Sequence, residues 1–307
     1  MAVVGNTVVI ERGIKGNFFS AYDAATPLYP QLCTEIPSDK SEEKYGWLGA
    51  APNIREWVDE RQAMGLLDYD YTLKNKLWEA TMAVSRSELE DDQLGQILIR
   101  ARDMGQRARR HPDDLLATLV GAGATTLCYD GQYFFSASHA SGSSGTLDNV
   151  ITHAAATGTA PTQAEFSLAL DEALVAMVGY KDDTGKPFVE DFQFNPSNLV
   201  VMVPVALYQV ARATLQATQI SATTNPMYNI ATLLLNNRLT SAVYMYTIYT
   251  GGVIKPFFFQ RRTQLETGFQ GLDSETGFMR DIFHFGVRAR YNMGYGLWQY
   301  CVRTEFT

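Results

Sequence analysis

Cysteine is scarce in this chain of 307 residues: the only 3 are Cys33, Cys128 and Cys301, far apart and in no paired spacing. That excludes a disulfide framework and a thiolate zinc site, and the three are read as reduced, buried thiols. Histidine is almost as rare, with 4 residues, and His111, His139, His153 and His284 show no metal-ligand spacing, so no metal is expected. Apolar runs long enough to cross a bilayer, ~18 residues, are missing. Met1 to Ile10 also lacks the basic start and apolar core of a signal peptide, so neither a membrane partner nor export is expected and the compartment is read as cytoplasmic. There is no excess of positive charge: 25 Lys and Arg against 33 Asp and Glu leave a formal charge of -8. The chain as a whole therefore has no basic footprint for gripping phosphates, and its mild acidity favours solubility. Gly121-Ala122-Gly123 is followed by neither a dinucleotide fingerprint nor a Lys-Ser/Thr pair, so no cofactor is expected. Tandem repeats at solenoid spacing are missing as well.

What is present is enough chain for a sizeable core, in one large domain or two intertwined ones. The dominant pattern runs from Ser87 to Pro112 and predicts one long amphipathic helix, a spine. Leu94, Ile97, Leu98, Ala101, Met104 and Ala108 recur at three- and four-residue steps, while Gln93, Gln96, Arg100, Asp103, Arg107 and Arg110 fill the other face. Ser87 and Glu90 have capping-box spacing, acidic residues crowd the start, Arg107, Arg109, Arg110 and His111 crowd the end, and Pro112 is read as the stop. About 25 residues at ~1.5 Å each make a helix roughly 37 Å long.

Before the spine, residues 1–58 are mixed in character, with scattered turn residues and many aromatics. Phe18, Phe19, Tyr22, Tyr29, Tyr45, Trp47 and Trp57 predict an arm of short elements with a thin core that packs on something else. Trp78, Ala80, Met82 and Val84 alternate with polar residues as a half-buried strand does, and Tyr69–Leu73 is read as its hairpin partner. After the spine come a short helix at Asp113–Val120 and a strand pair at Leu127–Phe135 turning at Asp130-Gly131. Ser141–Thr162 reads as a loop or boundary. Thr162 and Glu165 box the start of a helix ending at Gly179, Leu199–Val203 is a buried strand, and Pro204 opens another helix. Ser241–Thr250 and Val253–Gln260 flank Gly251-Gly252 as a hairpin, and Phe283, Phe285, Val287, Ala289 and Tyr291 mark one face of a final strand.

Catalytic chemistry finds little support. Ser136, Ser138, His139 and Asp130 lie close together and suggest a Ser/His/Asp hydrolase, but no nucleophile elbow carries the serine. Arg100, Arg102, Arg107, Arg109 and Arg110 form the one local basic cluster, read either as a solvated face with neighbouring ion pairs or as a contact with another subunit or with packaged nucleic acid. Neither reading is catalytic, and no enzyme activity is expected.

An ordered series of short motifs then stands out. Glu43-Lys44-Tyr45-Gly46-Trp47-Leu48-Gly49 is followed by Pro52 with Arg55-Glu56-Trp57, Asn75-Lys76, and Asp91-Asp92-Gln93-Leu94-Gly95. Next come Tyr129-Asp130-Gly131-Gln132, Phe134-Phe135-Ser136 and His139. Lys255-Pro256-Phe257, Gln260-Arg261, Phe285-Gly286-Val287-Arg288-Ala289-Arg290 and Gly294-Tyr295-Gly296 complete it. In order and spacing the series resembles the Mu-like phage major head subunit family across nearly the whole chain.

That resemblance implies an α+β chain of the Hong Kong 97-like capsid fold, with an N-terminal arm (1–58), an extended hairpin loop (59–86), a peripheral domain with the spine helix (87–160), an axial domain (161–252) and a C-terminal return to the peripheral domain (253–307). The implied function is that of a major capsid protein of a tailed bacteriophage or prophage, self-assembling through pentamers and hexamers into an icosahedral head that encloses double-stranded DNA. Assembly would take place in the bacterial cytoplasm, and the product would be the virion capsid. By analogy, Trp47, Trp57, Tyr69, Tyr71 and Trp78 are candidate intersubunit anchors, because large aromatics dominate interface energetics, and Arg100, Arg107 and Arg110 are candidate contacts on the spine. Lys74 and Lys76 sit in the loop that some relatives of the fold crosslink, but nothing marks a carboxylate partner and no crosslink is expected. Scaffolding and protease functions are expected from separate proteins, with a portal and decoration proteins as further partners, and DNA would be held by confinement without sequence readout. A hydrolase, or a phage tail or decoration protein, is the alternative.

Overall fold

The computed structural model describes residues 7–46, 71–90, 94–189, 192–220, 222–271 and 274–307. Two sheets organise them. The first has four strands, in the order Cys33–Pro37, Phe257–Gln270, Ile282–Tyr295, Lys76–Ser85. Its centre is a long antiparallel hairpin of two 14-residue strands, onto which Lys76–Ser85 adds antiparallel and Cys33–Pro37 parallel. The alternation expected of the last strand is present: Phe283, Phe285 and Val287 turn inward with Val84 and meet Ile97 and Ala101 of the spine.

The spine is longer than its sequence signals suggest. One helix spans Arg86–Glu90 and the next Leu94–Gly121, with Pro112 inside it and Asp113–Val120 as its last turns, not a separate helix. Proline removes one helical donor, which ordinarily breaks a helix. Here Leu116, Ala117 and Val120 beyond it are buried, and the buried Asp113 carboxylate accepts the backbone N–H groups of Leu28 and Tyr29 at 2.9 Å each. Tertiary contacts outweigh the local break. The cap at the first helix also shifts by two residues, since Glu88 N donates to Ser85 Oγ and Ser85 N to Glu88 Oε2.

The arm does not consist of thin short elements. Thr7–Ala24 is an 18-residue helix lying along the spine, and its Ile10, Ile14 and Phe18 are buried against it. Among the described residues, Thr72–Lys74 pairs with Glu42–Lys44, so the partner expected for Lys76–Ser85 at Tyr69–Leu73 belongs elsewhere. Tyr69 itself lies outside the described residues. Leu127–Phe135 is a compact turn closed by a single Leu127–Tyr133 bridge, not a strand pair.

The second sheet has five strands, in the order Thr232–Leu235, Leu199–Val203, Tyr244–Tyr249, Cys301–Phe306, Val150–His153. Val150–His153 comes from the stretch expected to be a loop, and it pairs in parallel with the C-terminal strand. Helices Gln163–Gly179 and Tyr208–Gln216 cover one face over Leu199, Val201, Val203 and Met245. The expected capping box is formed at Thr162 and Glu165. The other face, with Val200, Met202, Tyr246 and Ile248, joins the large central core with the end of the spine and Phe257, Phe258 and Tyr295.

Gly251 and Gly252 do not make a hairpin. The strands on either side enter different sheets, and the glycines cross between them in close contact. A Cβ on Gly251 would lie 2.6 Å from the Tyr249 hydroxyl, and one on Gly252 2.6 Å from the Tyr300 ring. Cys33, Cys128 and Cys301 are free and buried, as expected.

Candidate functional site

Between the spine and the outer strand of the first sheet lies a groove of about 550 Å³. Its floor is the alternating face of Lys76–Ser85 and Ile282–Tyr295, supplying Trp78, Met82, Val287 and Tyr291, with Leu265 beside them. Its wall is the spine, whose Met104, Ala108 and His111 point inward while Arg100, Asp103 and Arg107 form the rim. Helical and strand periodicities thus expose an apolar surface bordered by charge.

One end of the groove is built to a fixed geometry. Trp78 sits opposite Ala289 in the ladder, and its indole N–H donates to the Tyr291 carbonyl at 3.0 Å. The His111 ring meets the indole edge-on at 4.5 Å, and its Nδ1 hydrogen-bonds the Tyr291 hydroxyl at 2.7 Å. Burial pushes the His111 pKa below the usual histidine range, with Asp114 pulling the other way, and burial pushes the Tyr291 hydroxyl up. His111 is therefore an inward packing residue more than the helix-end cation its position suggests.

The basic cluster divides by direction. Arg102 donates to Asn17 at 2.8 Å and Arg109 lies 5.1 Å from the centre of the Tyr22 ring, so both clamp the N-terminal helix. Arg107 pairs with Asp103 one turn away at 2.8 Å. Arg100 lines the groove with no ion-pair partner among the described residues, and Arg110 is exposed without lining it.

Of the aromatic candidates, Trp78 lies in the groove with Arg100 and Arg107. Tyr71 is held inside the subunit: its hydroxyl accepts the Tyr295 backbone N–H at 3.0 Å, and burial pushes its pKa up to about 12. Trp47, Trp57 and Tyr69 lie outside the described residues. The sequence reading missed Met104, Leu265 and Tyr291 as groove residues, although Met104 and Tyr291 stand on faces whose periodicity it identified; Leu265 lies beyond the Val253–Gln260 strand it expected.

The groove offers docking chemistry. Its aromatic and aliphatic floor suits a large side chain from another segment, and its rim suits a charged flank. No group of three His, Cys, Asp or Glu residues placed to hold a metal occurs among the described residues. At the hydrolase constellation, Asp130 and His139 do meet, but the hydroxyls of Ser136 and Ser138 bond each other at 3.2 Å.

Comparison with known proteins places this geometry among phage heads. A sequence model of the Mu-like prophage major head subunit gpT family matches residues 8–166 and 236–307, about three quarters of the chain. The chain is 24% identical over 288 residues to the Mu-like prophage FluMu major head subunit of Haemophilus influenzae, covering 94% of this chain and 69% of that protein. It is 35% identical over 123 residues to the major capsid protein of Escherichia phage Mu, 40% of each. Among solved structures, a subunit of the bacteriophage JBD30 procapsid superposes with a TM-score of 0.58 at 24% identity, over 97% of this chain and 74% of that one. One from the mature capsid of bacteriophage PhiM1 superposes with a TM-score of 0.61 at 10% identity, over 92% and 87%.

Proposed function

Because the chain belongs to the Mu-like prophage major head subunit gpT family, we propose that its copies close through pentameric and hexameric rings into an icosahedral head around double-stranded DNA. The family is structural, the chain is a phage major head subunit and hence part of the virion capsid, and its α+β architecture is the Hong Kong 97-like capsid fold. The observation that carries the proposal is the family match across both sheet-forming ends of the chain.

In this reading the spine, the N-terminal helix and the first sheet are the peripheral domain. The five-stranded sheet with its two covering helices is the axial domain, which by strand pairing takes in Val150–His153 and Cys301–Phe306. The groove at Trp78, Arg100 and Arg107 receives a segment of a neighbouring copy, and the arm and extended loop with Trp47, Trp57 and Tyr69 are the segments that reach it. Each contact is modest, and many repeats make the shell strong. The acidic balance of -8 disfavours adhesion of DNA to the wall, so packaging is by confinement. Scaffolding, protease and portal functions belong to separate proteins, assembly takes place in the bacterial host cytoplasm, and the role of this chain involves no catalytic step. The JBD30 capsid is decorated with minor capsid protein trimers in one structure, and a decoration protein is proposed here too.

The test is electron microscopy of the chain produced with the assembly proteins of its phage. Closed shells are expected. Tubes, or monomers bound to another shell, would instead mark a tail or decoration protein, and an absence of particles would sink the proposal.

A further inference from the structure

Helix Gln163–Gly179 is apolar on two sides. Phe166, Ala169, Leu170, Ala173, Leu174 and Met177 are buried on the sheet. Facing outward, Leu168, Val175 and Val178 are 57%, 72% and 49% exposed, and Asp171 stands in the same stripe at three- and four-residue steps. A helix apolar all round belongs in a buried setting. Phe194, Pro226, Met227 and Ile230 flank the C-terminal half of the stripe and complete a groove of about 460 Å³, in which Asp171 is the one charged lining residue among the described residues. Desolvation raises the Asp171 carboxyl, and no hydrogen bond or ion pair compensates it among the described residues.

The same body carries a complementary stripe. Val205 is 62% exposed and, with the exposed Gln209 and Arg212, follows four- and three-residue steps along the turn and helix Tyr208–Gln216. Arg212 has no ion-pair partner among the described residues. The two helices touch within the subunit, where Gln163 Nε2 donates to the Ala213 carbonyl at 2.8 Å, yet no ion pair joins Asp171 to Arg212 there.

We propose that the outward stripe of Gln163–Gly179 is a docking surface for a second copy of this chain, whose Val205–Arg212 stripe lies on it with Arg212 against Asp171. A twofold contact of the stripe with itself would set Asp171 near its own mate and repel. Laying this stripe on the other stripe of a second copy pairs acid with base, and run head to tail such contacts close rings, whereas a twofold exchange of the two stripes would stop at dimers. Apolar burial supplies the adhesion and the charge pair sets the register. The inference rests on the shell-subunit reading and assigns the ring contact within it.

The test compares wild type with Asp171→Arg, with Arg212→Asp, and with the two combined, all produced with the phage assembly proteins. Both side chains are exposed, so each variant is expected to keep the circular dichroism and melting of the soluble subunit. Each single variant should lose closed particles in electron micrographs, and the double reversal should recover them. Val178→Cys with Val205→Cys in one chain, each seven residues from its member of the charge pair, should give, on oxidation, a ladder of disulfide-linked subunits. Single variants that assemble like wild type, a double variant that stays unassembled, or the absence of a ladder would each overturn the inference while leaving wild-type shells, and hence the capsid reading, intact. Loss of wild-type shells would count against the capsid reading itself.

Discussion

His139 Nδ1 and Asp130 Oδ2 lie 2.5 Å apart, with the two side chains 0% and 4% exposed. The imidazole lies flat on the Trp298 indole, ring centres 3.9 Å apart, and its Nε2 is buried with no hydrogen-bond partner among the described residues. This is the His–Asp half of a hydrolase without a nucleophile. Its place in the fold gives it a structural role: it ties the turn after the spine to the segment that passes from one sheet to the other. His139→Ala leaves the buried Asp130 Oδ2 without this partner, while Gln132 N still donates to Oδ1, and a buried acceptor left unsatisfied costs about 1–3 kcal/mol. Denaturant unfolding of the soluble subunit should show that loss as a lower midpoint. A wild-type midpoint would mean that the pair contributes nothing.

How much of this was legible depended on whether the decisive contact was local. Thr162 with Glu165 was readable because one box precedes one apolar stripe. At the spine, Ser85 with Glu88 and Ser87 with Glu90 have the same spacing, and the bond from Arg86 N to the Asp281 carbonyl, a distant partner, helps set the register. The N-terminal helix was hidden by Gly13 and Gly16, poor helix formers, although Ile10, Ile14 and Phe18 fall on one helical face. Strand periodicity found the faces of Trp78 and Tyr291, but the groove exists because topology brings those residues to His111, and the last two are 180 positions apart. Pairing of that range leaves no local signature.

The N-terminal helix approaches the spine at Gly105. A Cβ there would strike the Phe18 carbonyl oxygen and lie 3.2 Å from Tyr22 N, both backbone atoms that cannot swing aside. Helix propensity alone favours alanine over glycine by about 1 kcal/mol. Gly105→Ala should therefore do the opposite of what propensity implies and destabilise by about 1–3 kcal/mol, the usual cost of overpacking. Gly16→Ala, where a Cβ meets nothing within 4 Å, should stabilise. Thermal melts of the two variants moving in the same direction would refute the close-packing account.

His111 gives a pH dependence of definite sign. Burial lowers its folded-state pKa below the unfolded value of about 6.5, so the unfolded chain takes up the proton first as pH falls. Its contribution is full above that value and is lost as pH drops through it toward the lowered folded value, so stability rises with pH across this window. Other groups titrate too, and the comparison with His111→Gln isolates this one. The stability difference between wild type and variant should shift in favour of wild type between about pH 5.5 and about pH 7.5. A difference independent of pH would remove the histidine from the argument.

The spine arginines separate a local docking site from a general charge effect. Among the described residues Arg107 forms its one ion pair with Asp103 one turn away, a solvated contact of about 0.3–0.5 kcal/mol, and Arg100 forms no ion pair, acting on Glu88 only through its field. The double reversal Arg100→Glu with Arg107→Glu should therefore leave the soluble subunit folded, with a melting curve close to wild type. If the groove receives a neighbouring segment, the same variant should fail to form particles, because two rim charges change sign where that segment enters. Arg110 carries the same charge but does not line the groove. Arg110→Glu should assemble normally if the rim is what matters, whereas equal loss from all three positions would make the whole helix face an electrostatic surface and remove the special standing of the groove. Particle yield by sedimentation and electron microscopy decides between them.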